Sequence, residues 1–312
     1  MLSVSGLSSK EPTRLRELRQ VAASAGLNIE AAGGNWNPHG DGSKFASTQD
    51  HDAARARVRE WLAIAEALGA TILRGLLGGA GARHALVPLE TQMTDTAQVL
   101  KDLAPDAAAR NIRLAPELHW DLTAREMVRM LEAVGDERVG VTYDSGNPFC
   151  LLEDPLEAAE LLQDRIISTH MRDAAIRRTH EGVVVRWCVM GCGSARLREI
   201  RAVIERANPN CVWNLEVIFD YPPIALPYLS PAFWTPGWQL LPAEQLARFE
   251  ALLASNAAWT EEADWLKSRD DGSADELRQQ EWQGFMRSWA YCRDVLGIPG
   301  RPLTKKGSPS GR

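Results

Sequence analysis

The chain has 312 residues, 45% of them hydrophobic, which is enough apolar material to bury a substantial core in one large or two smaller α/β domains. The net charge of −6 leaves no basic surface of the kind that follows a phosphate backbone, so we expect no nucleic-acid partner. The apolar runs fall short of the roughly 18 residues of a membrane span, and the five cysteines form no CxxC pair, so we expect a soluble cytoplasmic protein without a membrane partner.

A helix followed by a strand is predicted six times along the chain. In each pair, apolar residues at helical spacing precede a short break and a run of apolar, β-branched residues. The pairs are 13–26 with 27–33, 54–69 with 70–78, 96–111 with 112–119, 125–138 with 139–147, 155–165 with 166–173, and 195–210 with 211–217. Because a helical crossover returns the chain in the same direction, we expect parallel strands, either in a (β/α)8 barrel or in an open doubly wound sheet.

Ligand-type side chains end four consecutive predicted strands: Glu117 in PELH, Asp144 in YDSG, His170 in HMRD and Glu216 in NLEV. Each has a structural explanation of its own, namely a helix cap for Asp144, salt bridges for the glutamates and a backbone hydrogen bond for His170. Three carboxylates at apolar strand ends would nevertheless repel one another, and a divalent cation removes that cost. Three oxygens and one imidazole suit Mn²⁺, Co²⁺ or Zn²⁺, with Mg²⁺ also acceptable.

The order of these motifs carries a family resemblance. From Leu114 to Glu216, the succession PELHWD, YDSGNP, HMRD and NLEV resembles the sugar isomerase/epimerase superfamily of xylose-isomerase-like TIM barrels, which includes the endonuclease IV group. The resemblance implies a (β/α)8 TIM barrel in which the four ligand-type residues bind one divalent metal ion, with Mn²⁺ favoured. Because only residues 1–12 precede the first predicted helix, we expect the first β/α unit to be shortened or absent.

The same resemblance implies a reaction. Its members transfer a proton at a carbon next to a carbonyl through a metal-stabilised enediolate, so we expect a metal-dependent isomerase or epimerase of a sugar or keto-sugar. Glu117 and Glu216 are the predicted acid/base pair. Arg172 stands at the lysine position of the family's H-x-K-D motif and is predicted to contact the substrate, as is His119, two residues beyond Glu117.

One departure from the family pattern keeps other reactions open. Asn147, also a predicted substrate contact, stands where many sugar epimerases have the histidine of D-x-x-H. The missing imidazole leaves as an alternative a lyase or dehydratase that eliminates a group from a keto-sugar or keto-glycoside. A DNA-repair endonuclease is disfavoured, because the chain has six histidines in all and an acidic balance.

The last part of the chain breaks the repeating pattern. We predict a barrel domain over 1–218, followed over 219–300 by an aromatic-rich strap and helices that pack on the barrel or on a partner subunit of a homo-oligomer. Trp234, in the strap PYLSPAFWTPGW, is predicted to stack on a sugar ring. Residues 301–312 are predicted to be a disordered tail.

Overall fold

Parallel strands separated by helices form the centre of the computed structural model, which describes residues 2–3, 7, 9–40, 50–234, 238, 241–255 and 266–298. Its strands are β1 Leu2–Ser3, β2 Ala31–Asn35, β3 Ile72–Leu76, β4 Arg113–Pro116, β5 Val141–Asp144, β6 Ile166–Met171, β7 Asp173–Arg178, β8 Val183–Cys188, β9 Val212–Leu215 and β10 Ile224–Leu226. Its helices are α1 Pro12–Ser24, α2 His51–Leu68, α3 Ala80–Arg83, α4 Leu89–Ala109, α5 Ala124–Val134, α6 Pro155–Leu162, α7 Leu197–Ala207, α8 Ala243–Ser255 and α9 Ala274–Asp294.

The barrel strands follow one another in chain order. Strands β1 to β4 form one parallel sheet, and β5, β6 and β9 form another. A single parallel bridge between Glu117 and Thr142 joins the two. All carboxyl ends of these strands therefore lie on one rim, where residues that follow different strands can meet.

The helices between strands are shaped by local sequence signals. Helix α5 begins with a capping box, in which the Thr123 hydroxyl accepts from the Glu126 N–H and the Glu126 carboxylate accepts from the Thr123 N–H. It ends at Gly135, whose φ of 67° is the left-handed conformation that glycine adopts without strain. Its apolar stripe is buried against the barrel, so the crossover from β4 to β5 is firmly packed.

Strands β7 and β8 form an antiparallel hairpin that the sequence analysis did not predict. The hairpin follows β6 directly, and β10 pairs antiparallel with β8. Several of its buried residues, among them Ile176, Val185 and Trp187, belong to a separate apolar cluster that also includes Phe249 of α8. The hairpin is therefore an addition on the rim to which the barrel strands point.

Polar side chains connect the start of β2 to β6 and β9. The buried carboxylate of Glu30 accepts hydrogen bonds from Ser168 Oγ at 2.7 Å and from Asn214 Nδ2 at 2.8 Å. Within the described residues, β1 comprises two residues and no ladder joins it to β9. The fold class is confirmed as a TIM barrel, whereas a shortened first unit stays a prediction.

The described part of 219–298 contacts the barrel and the hairpin. Ser288 Oγ of α9 accepts from the Met190 N–H at 3.2 Å, and Gln245 Nε2 of α8 donates to the Leu151 carbonyl at 3.1 Å. The division at residue 218 stays a prediction, and the predicted tail at 301–312 lies outside the described residues. Among the described helices, none combines the length and the apolarity that a bilayer crossing requires.

Candidate metal centre

The four predicted ligands meet at the carboxyl rim of the barrel. One ligand atom from each of Glu117, Asp144, His170 and Glu216 lies within 4.8 Å of the others. His170 Nδ1 is 3.0 Å from Glu117 Oε1 and 3.3 Å from Glu216 Oε2. The strand register explains why these side chains lie close together. Asp144 of β5 pairs with His170 of β6, and Glu117 and Glu216 directly follow β4 and β9.

The four side chains differ in their access to solvent. Those of Glu117, Asp144 and His170 are at most 2% exposed, whereas that of Glu216 is 26% exposed. Glu216 is therefore the member of the cluster that a ligand entering from solvent reaches most directly.

Two arginines balance the carboxylates. Arg172 Nε donates to Asp144 Oδ2 at 2.9 Å, and its Nη2 lies 3.0 Å from Glu216 Oε2. Arg74, on β3, donates to Glu117 Oε2. Arg172 is predicted from the sequence to contact the substrate, whereas Arg74 is not among the predicted site residues, although a lone charge inside the apolar run ATILRGLLG is a signal. Against the effect of burial, Arg74 favours the ionised form of Glu117 and Arg172 favours that of Glu216.

The acid–base state of the cluster follows from these contacts. Burial by itself would raise the pKa of Glu117, but the charges of His170 and Arg74 hold that pKa well below its usual range. Glu216 behaves in the same way, and Arg172 and His170 lower its pKa to about 2 against the effect of burial. Burial disfavours the imidazolium of His170, yet Glu117 and Glu216 outweigh burial and raise its pKa to about 10. For Asp144, burial prevails over Arg172 and the pKa is raised.

Asp144 also caps the start of the helical turn that follows it, as predicted from the sequence. Its Oδ1 accepts from the backbone N–H groups of Gly146 at 2.7 Å and Asn147 at 2.8 Å, where a short 3₁₀ helix begins. These bonds orient the carboxylate, so capping and membership of the cluster are compatible.

Asn147 connects the cluster to an aromatic side chain. Its amide oxygen accepts from Trp120 Nε1 and from Arg172 Nη2, the latter at 3.2 Å, and its amide nitrogen donates to the Leu118 carbonyl at 3.2 Å. Because the side chain is fully buried, these bonds place Asn147 as a support for Arg172. Its direct contact with substrate stays a prediction.

The two other predicted substrate contacts lie in different surroundings. His119 stacks on Trp120 with ring centroids 5.8 Å apart, and its Nδ1 is buried with no hydrogen-bond partner among the described residues. Trp234 donates through Nε1 to the Tyr228 carbonyl at 2.8 Å and packs edge-on against Phe233. His119 lies close enough to Glu117 to help lower the pKa of that carboxylate, whereas Trp234 packs within the strap.

Sequence reasoning also missed the aromatic residues at this rim. The guanidinium of Arg172 lies 4.5 Å from the ring centroid of Trp187, on the hairpin, and Trp120 lies edge-on to Tyr221 at 5.5 Å. Trp120 follows PELH directly and could have been found from that position. The position of Trp187 at this rim could be predicted only together with the hairpin of β7 and β8.

The donor set fits a divalent cation. Three carboxylates and an imidazole converge within bonding reach of a common point, which suits an ion that accepts both oxygen and nitrogen ligands. His170 Nε2 is buried, and no described residue is its hydrogen-bond partner, which leaves this nitrogen available to a bound group.

Proteins of known structure share this architecture. The structure of a D-psicose 3-epimerase from Clostridium cellulolyticum H10 with D-tagatose matches 95% of this chain and 88% of that chain, with a TM-score of 0.60 and 14% identity. A xylose isomerase-like TIM barrel protein from Mycobacterium smegmatis in complex with magnesium matches 82% of this chain and 81% of that chain, with a TM-score of 0.50 and 19% identity. These likenesses concern the fold.

Sequence comparison adds two findings. A 3-oxo-isoapionate decarboxylase from Pectobacterium atrosepticum is 25% identical over 251 residues, which are 80% of this chain and 74% of that protein. The sequence pattern of the xylose isomerase-like TIM barrel matches residues 5–269, a span that contains all four members of the cluster. On that match and on the parallel strands that carry the cluster, this chain belongs to the xylose isomerase-like TIM barrel family.

Proposed function

We propose that the chain is a metal-dependent isomerase or epimerase of a sugar or keto-sugar, which moves a proton at a carbon next to a carbonyl. The observation that carries the proposal is the convergence of Glu117, Asp144, His170 and Glu216 at the ends of parallel strands. A divalent cation held by these residues would supply positive charge that polarises the substrate carbonyl. Mn²⁺ is the ion we favour, with Mg²⁺, Co²⁺ and Zn²⁺ as alternatives.

Glu117 and Glu216 are the proposed acid/base pair. Glu216 is partly exposed and faces incoming substrate, whereas Glu117 is enclosed between Arg74 and His170. Of this pair, one carboxylate would take the proton from the carbon next to the carbonyl, and the other would return a proton to it. Arg172 and His119 would hold the substrate oxygens, and Asn147 would orient Arg172.

A lyase or dehydratase is the second candidate. It is favoured by the relative named 3-oxo-isoapionate decarboxylase, since that name describes bond cleavage rather than isomerisation. In both reactions a carboxylate removes the proton next to the carbonyl. They differ in whether a proton returns to that carbon or a group leaves the neighbouring one.

The test is to incubate the protein with Mn²⁺ and candidate keto-sugars in deuterated water. Deuterium incorporation without other change of mass supports an isomerase or epimerase, and an unsaturated product of lower mass supports elimination. Glu117→Gln and Glu216→Gln should each abolish exchange, whereas Glu199→Gln, at an exposed position of α7, should leave it intact. Absence of exchange together with less than about half an equivalent of bound metal would contradict the proposal.

A further inference from the structure

A pocket of about 330 Å³ lies on the same rim as the cluster. Its lining comes from α3, from the loop after β4, from the 3₁₀ helix after β5, and from the strap, and we call it the aromatic pocket. It is defined by His84, Trp120, Cys150, Leu226, Phe233 and Trp238. The volume lies at the low end of the range for small-molecule sites, so the pocket suits part of a ligand.

The aromatic pocket shares one wall with the candidate metal centre. Trp120 lines the pocket and donates through Nε1 to Asn147, whose amide oxygen also accepts from Arg172. Arg172 in turn donates to Asp144 of the cluster. Two side chains and three hydrogen bonds therefore connect the Trp120 wall of the pocket to a predicted metal ligand, which places the pocket beside the candidate metal centre.

The lining is chemically unlike the cluster. The rings of Phe233 and Trp238 lie 4.5 Å apart, and aliphatic side chains complete the wall. Its indole N–H groups already have partners, because Trp120 donates to Asn147 and Trp238 donates to His84 Nε2 at 3.4 Å. A sugar ring placed there would lose the hydration of its hydroxyl groups with little in exchange, whereas a planar apolar ring would gain contact area.

We propose that the aromatic pocket binds an apolar, ring-containing substituent of the substrate, whose sugar part lies at the candidate metal centre. The substrate class is therefore a glycoside with an aromatic aglycone. This inference rests on the proposed function for the sugar part, but the affinity of the pocket for an apolar ring can be measured without turnover.

The experiment uses the full chain reconstituted with Mn²⁺ and 2-naphthol as a sugar-free probe, with binding measured by calorimetry. Two variants fill the pocket from different sides at exposed positions, Ala80→Trp on α3 and Ala225→Trp on β10. Ala202→Trp, at an exposed position of α7, is the matched control. We expect both filled variants to bind 2-naphthol at least about tenfold more weakly than the control and the parent chain. No binding to the parent chain, or equal binding to the filled variants, overturns the proposal.

A competition measurement then tests the link to the sugar. The 4-nitrophenyl and methyl glycosides of glucose, galactose and xylose compete with 2-naphthol for the parent chain. Displacement by a 4-nitrophenyl glycoside at a concentration at least about tenfold lower than its methyl counterpart supports an aromatic aglycone. Equal displacement, or none, overturns that assignment. If 2-naphthol binds as expected but no sugar exchanges deuterium, the proposed function fails while the pocket's preference stands.

Discussion

Glu153 allows a test of how burial changes the pKa of an interior carboxyl group. Its carboxylate is 1% exposed, and both oxygens accept from the Ala124 N–H at 3.1 Å, at the start of α5. Burial raises the pKa of Glu153 from 4.5 to about 8 despite that N–H, and the charge of Glu126 adds to the rise. Glu153→Gln retains a hydrogen-bond acceptor but cannot ionise, so it isolates the effect of the charge.

The direction of the pH effect follows from proton binding. Between pH 4.5 and 8 the folded state keeps a proton on Glu153 that the unfolded state has released. The stabilisation is thus complete below the unfolded pKa and is lost as the pH rises towards the folded pKa. Over the two pH units from pH 5 to pH 7 the loss amounts to about 2 to 3 kcal/mol.

Urea unfolding at pH 5 and pH 7 measures this difference. We expect the parent chain to lose about 2 to 3 kcal/mol more than Glu153→Gln between the two pH values, because all other titrating groups are common to both. Glu132→Gln, at an exposed position of α5, controls for the substitution itself. Equal losses in the parent chain and Glu153→Gln would refute the conclusion that burial keeps this carboxyl protonated.

Three further substitutions probe the cluster and the barrel. His170→Ala removes the nitrogen ligand and should weaken Mn²⁺ binding more than about 100-fold by calorimetry. Arg74→Met removes one of the two charged partners of the buried Glu117 and leaves His170 as the other, so it should lower the free energy of unfolding by about 3 kcal/mol in urea. Gly75→Ala would place a Cβ 2.0 Å from Cε2 of the buried Trp36, so we expect a loss of about 3 kcal/mol in the same assay.

Each of these has a matched control. His180→Ala changes an exposed histidine at the hairpin turn and should leave Mn²⁺ binding unaltered. Arg14→Met breaks an exposed ion pair and should cost far less than Arg74→Met. Gly34→Ala meets Trp61 at 3.3 Å, so its cost should be smaller than that of Gly75→Ala. Equal effects of a variant and its control would contradict the corresponding argument.

The repeating helix–strand units were predictable because each carries its own periodicity and its own break. The second strand shows the limit of that approach, since it was predicted over 27–33 but spans Ala31–Asn35. Considered alone, the pair Gly33 and Gly34 indicates the end of a strand. In the fold Trp61 packs over both glycines, and a Cβ on Gly33 would lie 2.5 Å from its ring. That packing is a tertiary contact, which local sequence patterns do not contain.

The convergence of the four ligands was predictable because parallel strands end on one rim. The partners of the ligands were harder to foresee. Arg74 could have been suspected as a charge within an apolar strand, but its pairing with Glu117 depends on the register of β3 against β4. Trp187 meets Arg172 because an antiparallel hairpin turns back at that point. Metal identity, oligomeric state and cytoplasmic location stay predictions.

The hairpin of β7 and β8 has a consequence for how far relatives can guide the choice of substrate. It lies between the strand that carries His170 and the next helix, and with β10 it supplies the aromatic and aliphatic surroundings of the cluster. The four predicted ligands lie on or directly after β4, β5, β6 and β9, none of which belongs to the hairpin. The candidate metal centre and the surface around it thus stand on different elements, so the sequence of one can change while the other is preserved. Relatives with the same four ligands are therefore expected to share a type of proton chemistry more often than a substrate.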